Sequence, residues 1–279
     1  MITAGRMVSN HPTLVRVGRV GWFAKGVVYV LCGLLALLVA VRSFGWSSGT
    51  SGTGEASPTG AVKTIAQSGG GSPVLVALAI GMFLYAAWRL VAAFMPGDTG
   101  VEGVAKRVGY VISAAIYTSL GFTAIALSKR PGANADGNKT VTDATVRFMR
   151  NDAGRWLIGV VGVVVVVTGL YHVVNGLRGG ATTDVDMSAM SSERRKTTRR
   201  LGMVGEAGRG VAIALIGAFL TLSAVHYDPA AATGMDGALR KVALEPGGRL
   251  LVVLAGVGLL AYGLFCVATF TRQRLRAPT

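Results

Sequence analysis

The sequence predicts an all-α integral membrane protein. It has six transmembrane helices, arranged as three parallel-oriented helix-pair repeats in a pseudo-threefold bundle, with a short interfacial helix inside each pair. Three observations predict it. Hydrophobic residues make up 51% of the 279 positions and charged ones only 15%, where water-soluble domains carry roughly 25% charge. Mean hydropathy is +0.53. Six apolar runs of spanning length recur along the chain, and they pair into units whose glycine and aromatic spacing repeats three times. This balance excludes a soluble globular enzyme, a disordered chain and a disulfide scaffold.

The runs are Val20–Val41, Pro73–Phe94, Val108–Leu127, Trp156–Leu177, Gly202–Val225 and Leu250–Phe270. At 1.5 Å per residue, 22 residues reach about 33 Å, enough for a hydrocarbon core of about 30 Å. The first run follows Arg6, Arg16 and Arg19 but exceeds the 7–15 apolar residues of a signal peptide, so it is read as a retained span. The repeats then occupy 16–95, 104–178 and 200–272.

Charge gives the orientation. Of the 28 basic residues, 17 fall on the side holding both ends and the 95–107 and 178–201 loops, and 11 fall on the other. Basic loops stay in the cytoplasm. Both termini are therefore expected there, in a multi-pass protein of the cell membrane. The net charge of +15 follows from the same bias and needs no nucleic acid. Cys32 and Cys266 lie inside apolar runs, so no disulfide is expected.

Within the odd helices, Trp22, Gly26, Tyr29 and Gly33 align with Tyr110, Ala114, Tyr117 and Gly121, and with Glu206, Gly210, Ile213 and Gly217. Steps of 4, 3 and 4 place each set on one helical stripe. Small residues there let backbones approach closely, where lipid supplies no hydrophobic drive between helices. In the even helices Gly81, Tyr85, Trp88 and Ala92 align with Gly258, Tyr262, Phe265 and Thr269; the middle copy is Val164, Thr168, Tyr171 and Asn175. Between the helices of each pair, Gly60–Ala66, Asp143–Met149 and Gly237–Ala243 suit short helices at the membrane interface. Gly45–Gly60 is Gly/Ser-rich and reads as a flexible stretch.

The phrase Arg19-Val-Gly-Trp-Phe-Ala-Lys-Gly-Val-Val-Tyr29, with Gly33 after it, resembles the membrane family catalogued as domain of unknown function 1206. So does Gly237-Ala-Leu-Arg-Lys-Val-Ala-Leu-Glu-Pro-Gly-Gly-Arg249 ahead of a span holding Gly258 and Tyr262. The resemblance runs from about Arg16 to Phe270 and implies three tandem helix pairs. The middle unit departs from it, with Thr168 for Tyr and Asp143 for Gly. It implies no activity, cofactor or catalytic residue.

Ionisable groups inside spans are costly and mark candidate sites. Here they are Lys25, Arg89, His172, Glu206 and Arg209, with Asn175 beside them. The repeat places Lys25 and Arg209 at one aligned position, and Arg89, His172 and Cys266 at another, so they form a polar layer in the cytoplasmic third. Lys25 and Arg209 are expected to snorkel toward the cytoplasm. Arg89 leans inward and needs an internal partner or anion. Glu206 is the only acid in the spans and the expected counter-charge. His11 and His226 lie outside the spans, so no haem, metal or other cofactor is expected.

The run Arg194, Arg195, Lys196, Arg199 and Arg200 abuts the fifth span and suits anionic lipid head groups. Thr197 and Thr198 within it are candidates for phosphorylation. No catalytic residue is assigned. The expectation is a non-enzymatic membrane interaction or scaffold protein that contacts lipids or another membrane protein complex. The alternative is a small-solute or lipid transporter. A lipid head-group enzyme would have to rely on Glu206 or His172 as base.

Overall fold

The computed structural model describes residues 12–43, 55–68, 71–94, 100–130, 135–183 and 185–272. Six long helices carry the chain: α1 (Pro12–Ser43), α3 (Gly71–Phe94), α4 (Val101–Lys129), α6 (Asp152–Leu177), α7 (Ser192–Val225) and α9 (Gly248–Thr269). Three short ones sit inside the pairs: α2 (Pro58–Ala66), α5 (Gly137–Phe148) and α8 (Met235–Leu244). Each long helix holds a stretch long and apolar enough to cross a membrane. The protein is a multi-pass, all-helical membrane protein built of three units.

Local chemistry sets the helix starts. The Ser57 hydroxyl accepts from the Gly60 N–H at 3.0 Å ahead of Pro58 at the first turn of α2. The Asp136 carboxylate accepts from Asn138 and Lys139 at the head of α5, and Asn151 accepts from Gly154 at the head of α6. Each satisfies an N–H that the helix itself leaves unpaired. Gly247 turns α8 into α9 at φ 74°, a conformation that a side chain disfavours. At 34 residues, or about 51 Å, α7 outruns the bilayer. Residues 192–201, read above as part of a loop, are its first turns.

The long helices pack in the order α4, α3, α1, α9, α7, α6. The most extensive contacts run between units. Each odd helix lies on the even helix of another unit: α1 on α9, α4 on α3, α7 on α6. Within units α1 packs on α3 and α7 on α9, while among the described residues α4 and α6 do not meet. The helices therefore form an arc whose ends are apart, not a bundle closed at every pair.

The small-residue stripe lies in the cross-unit seams. A Cβ on Gly26 would stand 2.9 Å from Val267, one on Gly121 2.7 Å from Phe83, one on Gly210 2.6 Å from the Gly169 carbonyl and one on Gly217 2.5 Å from the Val166 nitrogen. Gly33 abuts the backbone of Leu260 on α9. Tyr29 meets Tyr262, and Tyr117 meets Tyr85, edge to face at 4.9 and 4.6 Å. Ala114 and Tyr117 are buried.

Another aligned glycine marks where the arc opens. A Cβ on Gly21 would stand 2.6 Å from Tyr85, and one on Gly205 2.5 Å from Tyr262, but nothing lies within 4 Å of Gly109. By the repeat, Gly109 would face Thr168 of α6. Val164, Thr168 and Tyr171, the loose middle copy of the even stripe, are exposed. Along α6 a single glycine stripe, Gly162, Gly169 and Gly176, is buried against α7.

On the side opposite the α7 extension the short helices are tied together. Asp236 of α8 accepts from the Ala56 N–H at 2.8 Å and the Asn138 amide at 3.2 Å. Half-buried Glu55 accepts from the Ser57 hydroxyl and the Gly137 N–H, and burial pushes its carboxyl above its ordinary range. Glu55–Gly60 are thus part of this ordered junction; residues 45–54 of the expected flexible stretch lie outside the described residues. Arg155 of α6 holds the end of α7, donating to the Ala224 carbonyl at 2.6 Å and stacking on Tyr227.

Candidate functional site

The polar residues of the spans converge on the inner side of the arc. The repeat predicts one layer because aligned positions share one depth. The structure joins most of that layer into a single chain of contacts reaching every long helix. Tyr117 of α4 touches Tyr85 of α3. Lys25 of α1 donates to the Tyr85 hydroxyl at 3.3 Å and to the Tyr262 hydroxyl of α9 at 2.8 Å. Arg209 of α7 donates to Tyr262 at 3.4 Å and to both oxygens of Glu206 at 3.4 Å. Glu206 closes the chain with His172 of α6, Oε1 to Nδ1 at 2.6 Å.

Lys25 does not snorkel. Its side chain turns into the protein, leaving the residue 3% exposed, with the ammonium 4.8–5.9 Å from the ring centres of Trp22, Tyr29, Tyr85 and Tyr262. The faces of electron-rich rings attract a desolvated cation, so this cage substitutes in part for water. Arg209 likewise faces inward, over Tyr262, with its Nε buried and without a hydrogen-bond partner. The physical reason is the same for both. A hydroxyl within reach inside the protein competes with the distant head-group region, and sequence position alone does not reveal the hydroxyl.

Arg89 has the internal partner that its place on α3 calls for. It donates twice to the Tyr85 hydroxyl, at 2.9 and 2.6 Å, and lies between Tyr85 and Tyr110. Asn175 lies nearly one turn beyond His172, with its amide against Gly180 and away from the chain of contacts. Sequence reasoning assigned Tyr85 and Tyr262 to packing and missed them as acceptors. The signal was there: tyrosine, not phenylalanine, stands four residues before Arg89 and recurs at the aligned place in the third unit.

Of the basic run, Arg194, Arg195, Lys196, Arg199 and Arg200 are exposed on the projecting turns of α7. Thr197 is exposed too. Thr198 is buried beside the Met190 sulfur, so it is not open to a kinase in this conformation. Cys32 and Cys266 are both buried and free.

The model of the Domain of Unknown Function family DUF1206 matches three times, over residues 20–95, 108–179 and 204–269. The chain belongs to the DUF1206 family. Among its relatives is the uncharacterized protein YxxB of Bacillus subtilis, 29% identical over 262 residues that cover 92% of this chain and 90% of that one. No solved structure matches. The three matches of DUF1206 to this chain each begin on an odd span and end at or just past the following even one. The cation–tyrosine chain of this DUF1206 protein therefore draws on all three copies.

Proposed function

We propose that the protein is a non-enzymatic membrane interaction protein, seated in the plasma membrane with both termini in the cytoplasm, which engages lipids or a partner complex. One observation carries this reading: between the polar cluster and the short helices the interior is filled. At one level Lys25 is wrapped by aromatic rings. At the next, Gly33 abuts Leu260 and Gly208 abuts Gly258 backbone to backbone. Toward the short helices Leu35, Ala36, Val39, Val252, Ala255 and Leu259 form a buried apolar core. A solute crossing the bilayer needs a polar path through that core. The exposed length of α6 supports an interaction role as well, and the basic bias supports the orientation.

The test is reconstitution into liposomes, with swelling in chloride, phosphate, glutamate and glycerol followed by light scattering. Permeation at the rate of empty liposomes is expected. Saturable flux of any of these solutes would replace this reading with a carrier. The separation of α4 from α6 is the one feature favouring a carrier, since it leaves two helices free to move.

A further inference from the structure

We propose that the inner side of the arc is a binding site for a phosphate-type oxyanion, admitted sideways between α4 and α6. The proposal rests on the interaction reading above and names what the protein grips. The chemistry begins with charge. Among the described residues the cluster holds three cations, Lys25, Arg89 and Arg209, against one carboxylate, Glu206, which Arg209 and His172 already share. Among the described residues Lys25 and Arg89 find tyrosine hydroxyls and ring faces and no carboxylate. Uncompensated charge in a low dielectric is costly unless a counter-ion joins it.

The donors are also disposed for an anion. Arg209 Nε is shut off from solvent with no acceptor. The Tyr85 hydroxyl accepts from both Lys25 and Arg89, and among the described residues it donates to nothing, so its own hydrogen is free to be given. Arg209 Nε, the Tyr85 hydroxyl and the edge of Arg89 not given to Tyr85 are the charged and neutral donors that a tetrahedral oxyanion takes. Access is from the side. Among the described residues α4 and α6 do not meet, and the side chains of His172 and Arg209 keep 20% and 19% exposure. A lipid phosphate or a free phosphate would offer the same oxygens to this site.

The experiment uses the full-length protein in an uncharged detergent, with unfolding followed by tryptophan fluorescence. Inorganic phosphate is titrated against chloride at fixed ionic strength. Phosphatidylglycerol is titrated against phosphatidylcholine in mixed micelles. A saturable rise in Tm is expected with at least one probe: phosphate alone means a free anion, phosphatidylglycerol alone a lipid head group. Arg89→Gln should weaken the apparent affinity about tenfold, the loss of one charge-assisted contact. Arg89→Lys should keep most of it. A variant with Arg194, Arg195, Lys196, Arg199 and Arg200 all changed to Gln should keep it fully.

Should Arg89→Gln fail to fold, Tyr85→Phe makes the same comparison by removing the donated hydrogen. The proposal is overturned if neither probe shifts Tm, or if the shift survives the cluster substitutions and vanishes with the surface run. Neither result touches the liposome assay. Flux there would sink the interaction reading and leave the site standing.

Discussion

The ammonium of Lys25 lies 2.8 Å from the hydroxyl of Tyr262, 237 positions later in the chain. The bond joins the first unit to the third. It also explains why a lysine persists in the middle of an apolar helix: its partner belongs to another repeat.

Lys25→Met should leave Tm unchanged or raise it. The substitution keeps an unbranched side chain one atom shorter and removes a buried charge that has no carboxylate beside it. Exchanging buried charge for a well-packed apolar group is often neutral, or stabilising by about 1–4 kcal/mol. Tyr85 and Tyr262 keep Arg89 and Arg209 as donors. A clear fall in Tm on tryptophan fluorescence would mean that the cage depends on the charge.

Glu206→Gln should destabilise by about 3–5 kcal/mol, since it leaves Arg209 without its counter-charge inside the protein. Paired with Arg209→Met, the double variant should cost less than the sum of the two singles. Paired with Arg89→Met the costs should add, because Arg89 bonds to Tyr85 and does not touch Glu206. Denaturant melts of the four-member cycles measure both couplings.

Gly109→Leu should be tolerated, and Gly205→Leu should not. The two glycines occupy the same repeat position, but a Cβ at 205 would strike the Tyr262 backbone while one at 109 meets nothing. Overpacking a tight seam costs about 1–3 kcal/mol or more. Size-exclusion profiles and Tm in detergent separate the two. Equal damage from both would mean that α4 and α6 come together in the membrane.

Glu55 ties stability to pH. Its carboxyl titrates higher in the folded protein than in the unfolded chain, so the folded state binds its proton more tightly. Its contribution is fully present below the unfolded value and is lost as pH rises through the folded one. Glu55→Gln keeps the oxygen that accepts from Ser57 and Gly137 without the charge. Its Tm should match that of the parent near pH 4 and exceed it at pH 7, the gap opening as pH rises.

Orientation is open to thiol labelling. Lys139→Cys, exposed on α5, should react with an impermeant reagent applied to intact cells. Ser192→Cys, exposed at the head of α7, should react only once the membrane is permeabilised. Reversed labelling overturns the assignment of the termini to the cytoplasm.

The six spans were legible because apolar length alone decides them. The threefold repeat was legible because Gly26, Tyr29 and Gly33 recur without gaps as Ala114, Tyr117 and Gly121. Partnership between helices was not. A stripe of small residues says that something approaches, not that the α1 stripe meets α9 instead of α3. The buried state of Lys25 was hidden for the same reason, since its acceptors stand on other helices. One sign was read without its meaning: Thr168 in place of tyrosine marks the face of α6 that, among the described residues, no helix covers.

Pairing between units has a consequence for how the protein is made. Of the six described spans, the one made earliest takes as its principal partner the one made latest, since α1 packs on α9. Four spans are threaded into the bilayer in the interval. Through that time Lys25 lacks Tyr262, and Tyr85 of α3 with Trp22 and Tyr29 of its own helix are the part of the cage it has. A nascent chain halted before Gly248 is therefore not a bundle short by one helix. Its long helices form two groups, α4 with α3 and α1, and α7 with α6, with Lys25 on the open seam, and α9 is the span that packs against both.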